Sequence, residues 1–286
     1  MKVTIAIPNY NGEELLPKNL PNILAAGADE VLVNDDASKD ESIKIIQENF
    51  PQVKLLINQQ NKGFVSSVNK LFNEASGEIV VLLNNDVLVD KNFLKPLLKH
   101  FRDSKIFAVN CHEEGQGWGK SCWKNGYYEF VKTEEDSRMH QSAWASGGSA
   151  AFNKKIWQSL GGLDRLFAPF YWEDIDLSFR ALKTGFNILW EPKSLVYHQH
   201  GTTIGKTHSS KFVAKVQERN QLLFIWKNIT DKNLLTEHRI NLIKRLLGGL
   251  GIGYWIPFGW AFIKKGEIKK TTGGTRSDLE VINYAD

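Results

Sequence analysis

The sequence predicts an α/β fold built on a mostly parallel central sheet, followed by a helical C-terminal extension. Two apolar runs carry that expectation, EVLVNDD over residues 30–36 and EIVVLLNND over residues 78–86. Val, Ile and Leu without polar alternation mark strands covered on both faces, as parallel strands are. A third observation is the alternation of strand-like and helix-like segments through the first 110 residues, which right-handed crossovers wind into one sheet. Both apolar runs end in acid. Ligand crevices in such sheets lie beyond the carboxyl ends of the strands, so Asp35, Asp36 and Asp86 are expected at one edge. Carboxylates gathered there repel one another unless a cation joins them, most simply a divalent metal carrying a phosphorylated ligand.

Residues 2–7 read as the first strand, PNYNG as a turn, and Glu13–Ala26 as a helix with its apolar residues at helical spacing. The second strand ends at Asp35-Asp36, and a Ser-capped helix is expected over residues 38–50. VKLLIN (53–58) is a third strand, residues 61–75 a helix entered through Gly63, and 78–86 the fourth strand. Between residues 111 and 150, frequent Gly and Trp indicate short strands and loops. Residues 172–184 return to helical spacing, with Ile175, Phe179 and Leu182 on one face. Two short strands broken at Pro192 follow, and the chain from Ser209 reads as helices.

With 286 residues, 42% apolar and 24% charged, the chain has the composition of a globular protein. A net charge of +4, with lysines spread along the whole length, gives no nucleic-acid footprint. Cys111 and Cys122 are too few for a disulfide framework and lack metal-ligand spacing. The N-terminal run breaks at Pro8, too early for a signal peptide, so a cytoplasmic protein is expected.

Four constellations carry chemistry. Asp35-Asp36 can cap a turn, or accept hydrogen bonds from a base and ribose. Asp86, in Asn-Asn-Asp, can form a turn or ligate Mg²⁺ or Mn²⁺. In FYWEDIDLSFR (170–180), acids at a helix start favour the dipole, worth roughly 0.3–1 kcal/mol. The apolar approach through Phe170, Tyr171 and Trp172 also raises a carboxyl toward the range of a general base. In VYHQH, extended backbone puts His198 and His200 on one face, as core residues or as metal ligands.

Taken in order, these pieces resemble the inverting, metal-dependent family 2 glycosyltransferases of GT-A fold, nearest their bacterial rhamnosyltransferase-like branch. The likeness runs through IPNYNG (7–12), VNDDASKD (33–40), NKGF (61–64), LLNND (82–86), GGSAAF (147–152), GGLDRLF (161–167), WEDIDLSFR (172–180), VYH (196–198) and ERN (218–220). It implies a GT-A domain over residues 1–228, with a nucleotide-binding half (1–110) and an acceptor half (111–228), and a helical extension over 229–286. By position it implies Pro8 and Tyr10 along the nucleobase, Asp36 bonded to it, and Lys62 and Asn85 near the nucleotide. It further implies Asp86 and His198 on Mn²⁺ or Mg²⁺, Asp174 as catalytic base, and Trp172, Glu173 and Arg219 toward the acceptor. Asn84 departs from the family pattern, which commonly has Asp there, leaving Asp86 more alone on the metal. The implied partners are a UDP- or dTDP-linked sugar donor and a glycan or lipid-linked acceptor in surface polysaccharide synthesis.

Other readings fit less well. A nicotinamide dehydrogenase needs GxGxxG where this chain has PNYNGEE. A pyrophosphorylase needs a Gly-rich basic first loop, and an aspartyl-phosphate hydrolase needs DxD on the first strand. The non-enzyme alternative is a degenerate nucleotide-sugar-binding protein, against which stand the intact Asp36, Asp86, Asp174 and His198. Residues 246–263 carry no charge and precede Lys264-Lys265, but five glycines and Pro257 disfavour a spanning helix. An interfacial segment on the inner face of the membrane is expected, with Trp255 and Trp260 at headgroup level. The oligomeric state is left open.

Overall fold

The computed structural model describes residues 1–198, 208–248 and 252–286. Its strands are β1 (Val3–Asn9), β2 (Glu30–Asp35), β3 (Lys54–Ile57), β4 (Ile79–Leu83), β5 (Val87–Val89), β6 (Ile106–Glu113), β7 (Lys120–Lys124), β8 (Tyr127–Val131), β9 (His140–Gln141), β10 (Ser149–Asn153) and β11 (Asn187–His198). Its helices are α1 (Leu16–Ala25), α2 (Ser42–Asn49), α3 (Phe64–Glu74), α4 (Leu94–Leu98), α5 (Lys154–Ser159), α6 (Glu173–Lys183), α7 (Ser210–Asn228), α8 (Lys232–Leu247), α9 (Ile252–Lys264) and α10 (Asp278–Ile282).

The main sheet has the order β3-β2-β1-β4-β10-β6-β11-β5, with β9 paired to β11. Strands β1 to β4, β6 and β11 run one way, and β5, β9 and β10 run against them. Parallel pairing sets Pro8 beside Asn34 and Asn9 beside Asp35, so both strands deliver their last residues to the same edge. The apolar runs are buried on both faces, as their composition requires. Ile5, Val33 and Val81 face α1, α2 and α4, while Ala6, Leu32, Val80 and Leu82 face α3, α5, α6 and α7.

Several boundaries differ from expectation. Ser38 caps no helix: α2 begins at Ser42 behind Glu41, and Ser38 instead gives its N–H and hydroxyl to Asp35. The first helix starts at Leu16, because Gly12 to Leu15 form a turn closed on the Gly12 carbonyl. Residues 187–198 form one strand rather than two, and Pro192 lies inside a register shift between Trp190 and Leu195. A proline supplies no N–H to the ladder, so the pairing slips there without ending the strand.

The C-terminal segment closes onto the same core through Tyr254, Ala261, Val281 and Ile282. Asp278 pairs with Lys183 and accepts the Thr230 and Asp231 N–H groups at 2.6 and 2.7 Å. The uncharged run is divided between the end of α8 and α9, with residues 249–251 outside the described part. Among the described residues, no helix is long and apolar enough to cross a membrane. Trp260 is half-buried with its ring 6.2 Å from Phe212, so it does not stand free at the surface; Trp255, 49% exposed, does.

Candidate active site

At the carboxyl ends of β1 and β2, the two neighbouring aspartates do different work. Asp35 accepts from Asn9 Nδ2 (2.8 Å), Ser38 N–H (2.8 Å) and Ser38 Oγ (2.6 Å). Asn9 in turn accepts from Asn85 Nδ2 at 2.8 Å, and the Asn85 carbonyl accepts from Asn19 at 2.7 Å. A Cβ at Gly12 would lie 2.1 Å from Asn9 Oδ1, so only glycine lets the first turn close over this network. Asp35 and the Asn85 side chain thus serve as scaffold, with the Asn85 amide engaged on Asn9.

Asp36 is 4% exposed and accepts from Asn58 Nδ2 (2.7 Å), Lys62 N–H (2.9 Å) and Gly63 N–H (2.8 Å). It fastens the loop before α3 to the floor of the crevice. That loop borders an open cavity of about 710 Å³ lined by Lys62, Gly63, Phe64, Arg165 and Pro169. Lys62 is exposed, and Pro8 and Tyr10 are half-buried at the adjoining end of β1.

The second group forms where β4 and β11 end. His198 Nε2 lies 3.0 Å from Asp86 Oδ1, and His198 Nδ1 lies 3.1 Å from Glu113 Oε2. Burial alone would push the imidazole down, but hydrogen bonds and charge from the two carboxylates outweigh it and hold His198 at about 9. The two carboxylates thus favour the protonated ring, and a divalent ion taken up between Asp86 and His198 would displace the Nε2 proton. A carboxylate oxygen and an imidazole nitrogen converging on one point suit a divalent ion such as Mn²⁺ or Mg²⁺, which takes few protein ligands beside phosphate oxygens. Glu113 stands behind Nδ1, where an outer carboxylate would orient a histidine that ligates a metal. His200 lies outside the described residues.

The third group opens α6. Tyr171 and Trp172 have φ of 69° and 76°, a left-handed conformation that costs side-chain-bearing residues of order 1–3 kcal/mol each. Asn220, fully buried on α7, holds the turn by donating to the carbonyls of Phe167 (2.8 Å), Phe170 (3.0 Å) and Tyr171 (2.8 Å). Arg219 braces Asn220 Oδ1 at 2.9 and 2.8 Å and donates to the Ala168 carbonyl at 2.5 Å. Trp172 is 6% exposed and its indole packs against Phe130, Phe224 and Tyr128.

The turn delivers Glu173 and Asp174. Glu173 is buried, and its Oε2 has no hydrogen-bond partner among the described residues. Burial, reinforced by the adjacent Asp174 charge, drives this carboxyl well above the ordinary range. Asp174 accepts from Gly147 N–H (3.1 Å) and Ile175 N–H (2.9 Å). Burial raises it too, while those N–H groups restrain the rise, so Asp174 is the better anion of the two. Asp176 turns away into a buried cage, bonded to Arg180 (2.9 Å), Lys227 (2.8 Å) and Asn228 (2.8 Å).

Gly147 and Gly148 join the second and third groups. A Cβ on Gly147 would touch Asp174 Oδ2 at 3.4 Å, and one on Gly148 would meet Asn84 Nδ2 at 2.7 Å and His198 Cε1 at 3.2 Å. The Gly148 carbonyl also accepts the Asn84 N–H at 2.9 Å. Two successive glycines therefore separate the Asp86–His198 pair from Asp174. Glu113, the Gly147-Gly148 spacer and the exposed Phe130 beside half-buried Trp144 were not singled out from sequence. The GGSAAF and ERN segments held the signal for the spacer and for Asn220.

Comparison with known proteins bears on this arrangement. The model of "glycosyltransferase like family 2" matches residues 1–220. N-acetylgalactosaminyltransferase 7 of Drosophila melanogaster is 26% identical over 200 residues, covering 59% of this chain and 33% of that protein. The O-antigen chain rhamnosyltransferase RfbN of Salmonella typhimurium is 23% identical over 217 residues, covering 71% of this chain and 68% of that one. The chain thus spans a third of the first relative and about two thirds of the second. A crystal structure of GalNAc-T7 with UDP, GalNAc and Mn²⁺ superposes with a TM-score of 0.65 at 16% identity, over 87% of this chain and 56% of that one. That overlap shows the GT-A fold. With the family model matching residues 1–220 of 286, this chain belongs to the family 2 glycosyltransferases.

Proposed function

We propose that the protein moves a sugar from a nucleoside diphosphate sugar to a hydroxyl of a glycan or lipid-linked acceptor, inverting the anomeric centre. The observation that carries this reading is the glycine pair, with the carboxylate of Asp174 against Gly147 and the His198 ring, bonded to Asp86, against Gly148. In-line displacement at an anomeric carbon needs a proton acceptor on the side of the attacking hydroxyl and neutralised charge on the side of the leaving diphosphate. Asp174 takes the hydroxyl proton. Asp36 accepts an N–H of the base while its backbone donors hold the Lys62–Gly63 loop, and Pro8 and Tyr10 flank the base. Lys62 stands at the mouth of the cavity with its charge toward phosphate. Asp86 and His198 would hold a divalent ion, which when bound would supply charge neutralisation on the diphosphate.

Phe130, 50% exposed, sits 5.1 Å from Trp144 and 5.2 Å from Trp172, and offers an aromatic face on the acceptor side to a sugar ring. Trp172 and Arg219 act there as supports, and Glu173 as a protonated neighbour that leaves Asp174 the charge. The likeness to an O-antigen chain rhamnosyltransferase supports a glycan acceptor in bacterial surface polysaccharide synthesis.

The test is release of nucleoside diphosphate from a panel of UDP-, dTDP- and GDP-sugars, with Mn²⁺, with Mg²⁺ and with EDTA. Turnover of one donor with metal, its loss in EDTA and its loss in Asp86→Ala are expected. Donor binding without turnover under every condition would leave a degenerate binding protein instead, and full turnover in EDTA would remove the metal from the reading.

A further inference from the structure

The uncharged C-terminal run is not used by the chemistry, yet it leaves a large apolar surface open. On α9, Tyr254 and Ala261 turn inward at 3% and 0% exposure. Trp255, Phe262 and Ile263 turn outward at 49%, 60% and 79%. The preceding helix, α8, exposes Ile240, Ile243 and Leu247 at 49%, 57% and 78%, one stripe at helical spacing. The two helices touch where the Arg245 guanidinium lies 4.1 Å from the Tyr254 ring centre. Scattered surface apolar residues are ordinary, but two neighbouring helices each leaving a stripe of three large side chains in water mark an interaction surface.

Charge identifies the occupant. Residues 232–270 hold eight basic residues against two acids, Glu237 and Glu267. Arg245 is taken up by Glu218 and the Tyr254 ring and Lys264 by Glu267, which leaves Lys232, Arg239, Lys244, Lys265, Lys269 and Lys270 as an exposed basic rim. A second copy of the chain meeting this face would bring its own basic rim against the first, because a two-fold contact pairs like with like. An anionic lipid surface accepts both features at once, apolar side chains below the headgroups and lysines among them. Among the described residues no helix is long and apolar enough to cross a membrane, so a contact with lipid here would be one that lies on the surface.

We propose that α8 and α9 form a peripheral docking face for an anionic bilayer, with Trp255, Phe262 and Ile263 inserted and the basic rim at the headgroups. The proposal stands apart from the catalytic reading, since it concerns residues that do not touch the crevice chemistry.

Flotation of the full chain with vesicles tests it. The chain is expected to float with phosphatidylglycerol–phosphatidylcholine vesicles at low salt, to stay behind with phosphatidylcholine alone, and to release at high salt. Lys269→Gln with Lys270→Gln should lower partitioning about fivefold per lysine. The triple variant Trp255→Ser, Phe262→Ser, Ile263→Ser should abolish flotation while keeping the parent circular dichroism spectrum and Tm, because these side chains are exposed. Flotation of the triple variant equal to the parent's overturns the proposal. So does failure of the parent to bind anionic vesicles, or a parent dimer by light scattering that the triple variant disperses, which would assign the face to a second copy.

Discussion

Replacing Asn220 with Ala should damage both stability and turnover, although Asn220 touches no reacting group. Its amide is fully buried and holds three carbonyls of the 167–171 turn, while its oxygen takes two bonds from Arg219. Each of these five bonds is worth about 1 kcal/mol net, so the gross loss is about 5 kcal/mol, and stranding buried acceptors adds to it. Part is recovered as Tyr171 and Trp172 relax from their left-handed conformation, returning about 1 kcal/mol. The remaining loss of about 4 kcal/mol lowers Tm by about 7 °C in a chain of this size. Relaxation of the turn moves the first residues of α6, and misplacing a catalytic group by about 1 Å costs about 100-fold in turnover. Thermal unfolding by circular dichroism and nucleotide release from whichever sugar of the donor panel is turned over provide the two readouts. Unchanged Tm and unchanged turnover in Asn220→Ala would refute the reasoning.

Three further outcomes follow from the same geometry. The carboxyl of Glu173 has its folded-state value raised by burial and by Asp174, so folding favours its protonated form and stability falls as pH rises from the unfolded toward the folded value. Glu173→Gln should therefore raise Tm at neutral pH and flatten its fall with pH over that window, while leaving the acid limb of the rate profile in place, because a protonated Glu173 puts no charge beside Asp174. Lys227, 4% exposed between Asp164 and Asp176, should cost about 3–5 kcal/mol on conversion to Met, because two carboxylates lose their shared cation; urea unfolding measures it. Phe130→Ala should raise KM for the acceptor several-fold while leaving hydrolysis of the donor to water unchanged, and steady-state kinetics with and without acceptor separate the two effects.

Much of the nucleotide-side architecture was legible because buried parallel strands announce themselves by composition. The 30–36 and 78–86 runs gave both the strands and the acids that end them. Local punctuation was harder to read: Ser38 looks like a helix cap in any sequence window, and only the partner strand shows that its hydroxyl is claimed by Asp35. The acids at the crevice were named, but their division of labour was not. Asp35 and Asp36 are adjacent in sequence and opposite in direction on the sheet, so one serves the β1 turn and the other the loop before α3. Glu113 lies 85 residues from His198 and joins it only through the pairing of β6 with β11. The aromatic face of Phe130 depends on a hairpin whose packing no periodicity reveals.

The central claim is that Asp174 deprotonates the acceptor directly, in a single displacement, across the glycine pair from Asp86 and His198. The most direct test is the anomeric configuration of the transferred sugar, read by proton NMR from the coupling constant of the anomeric proton early in the reaction. Inversion relative to the donor is the expected result. Retention would require an intermediate on the protein or front-face attack, and would contradict the role assigned to Asp174.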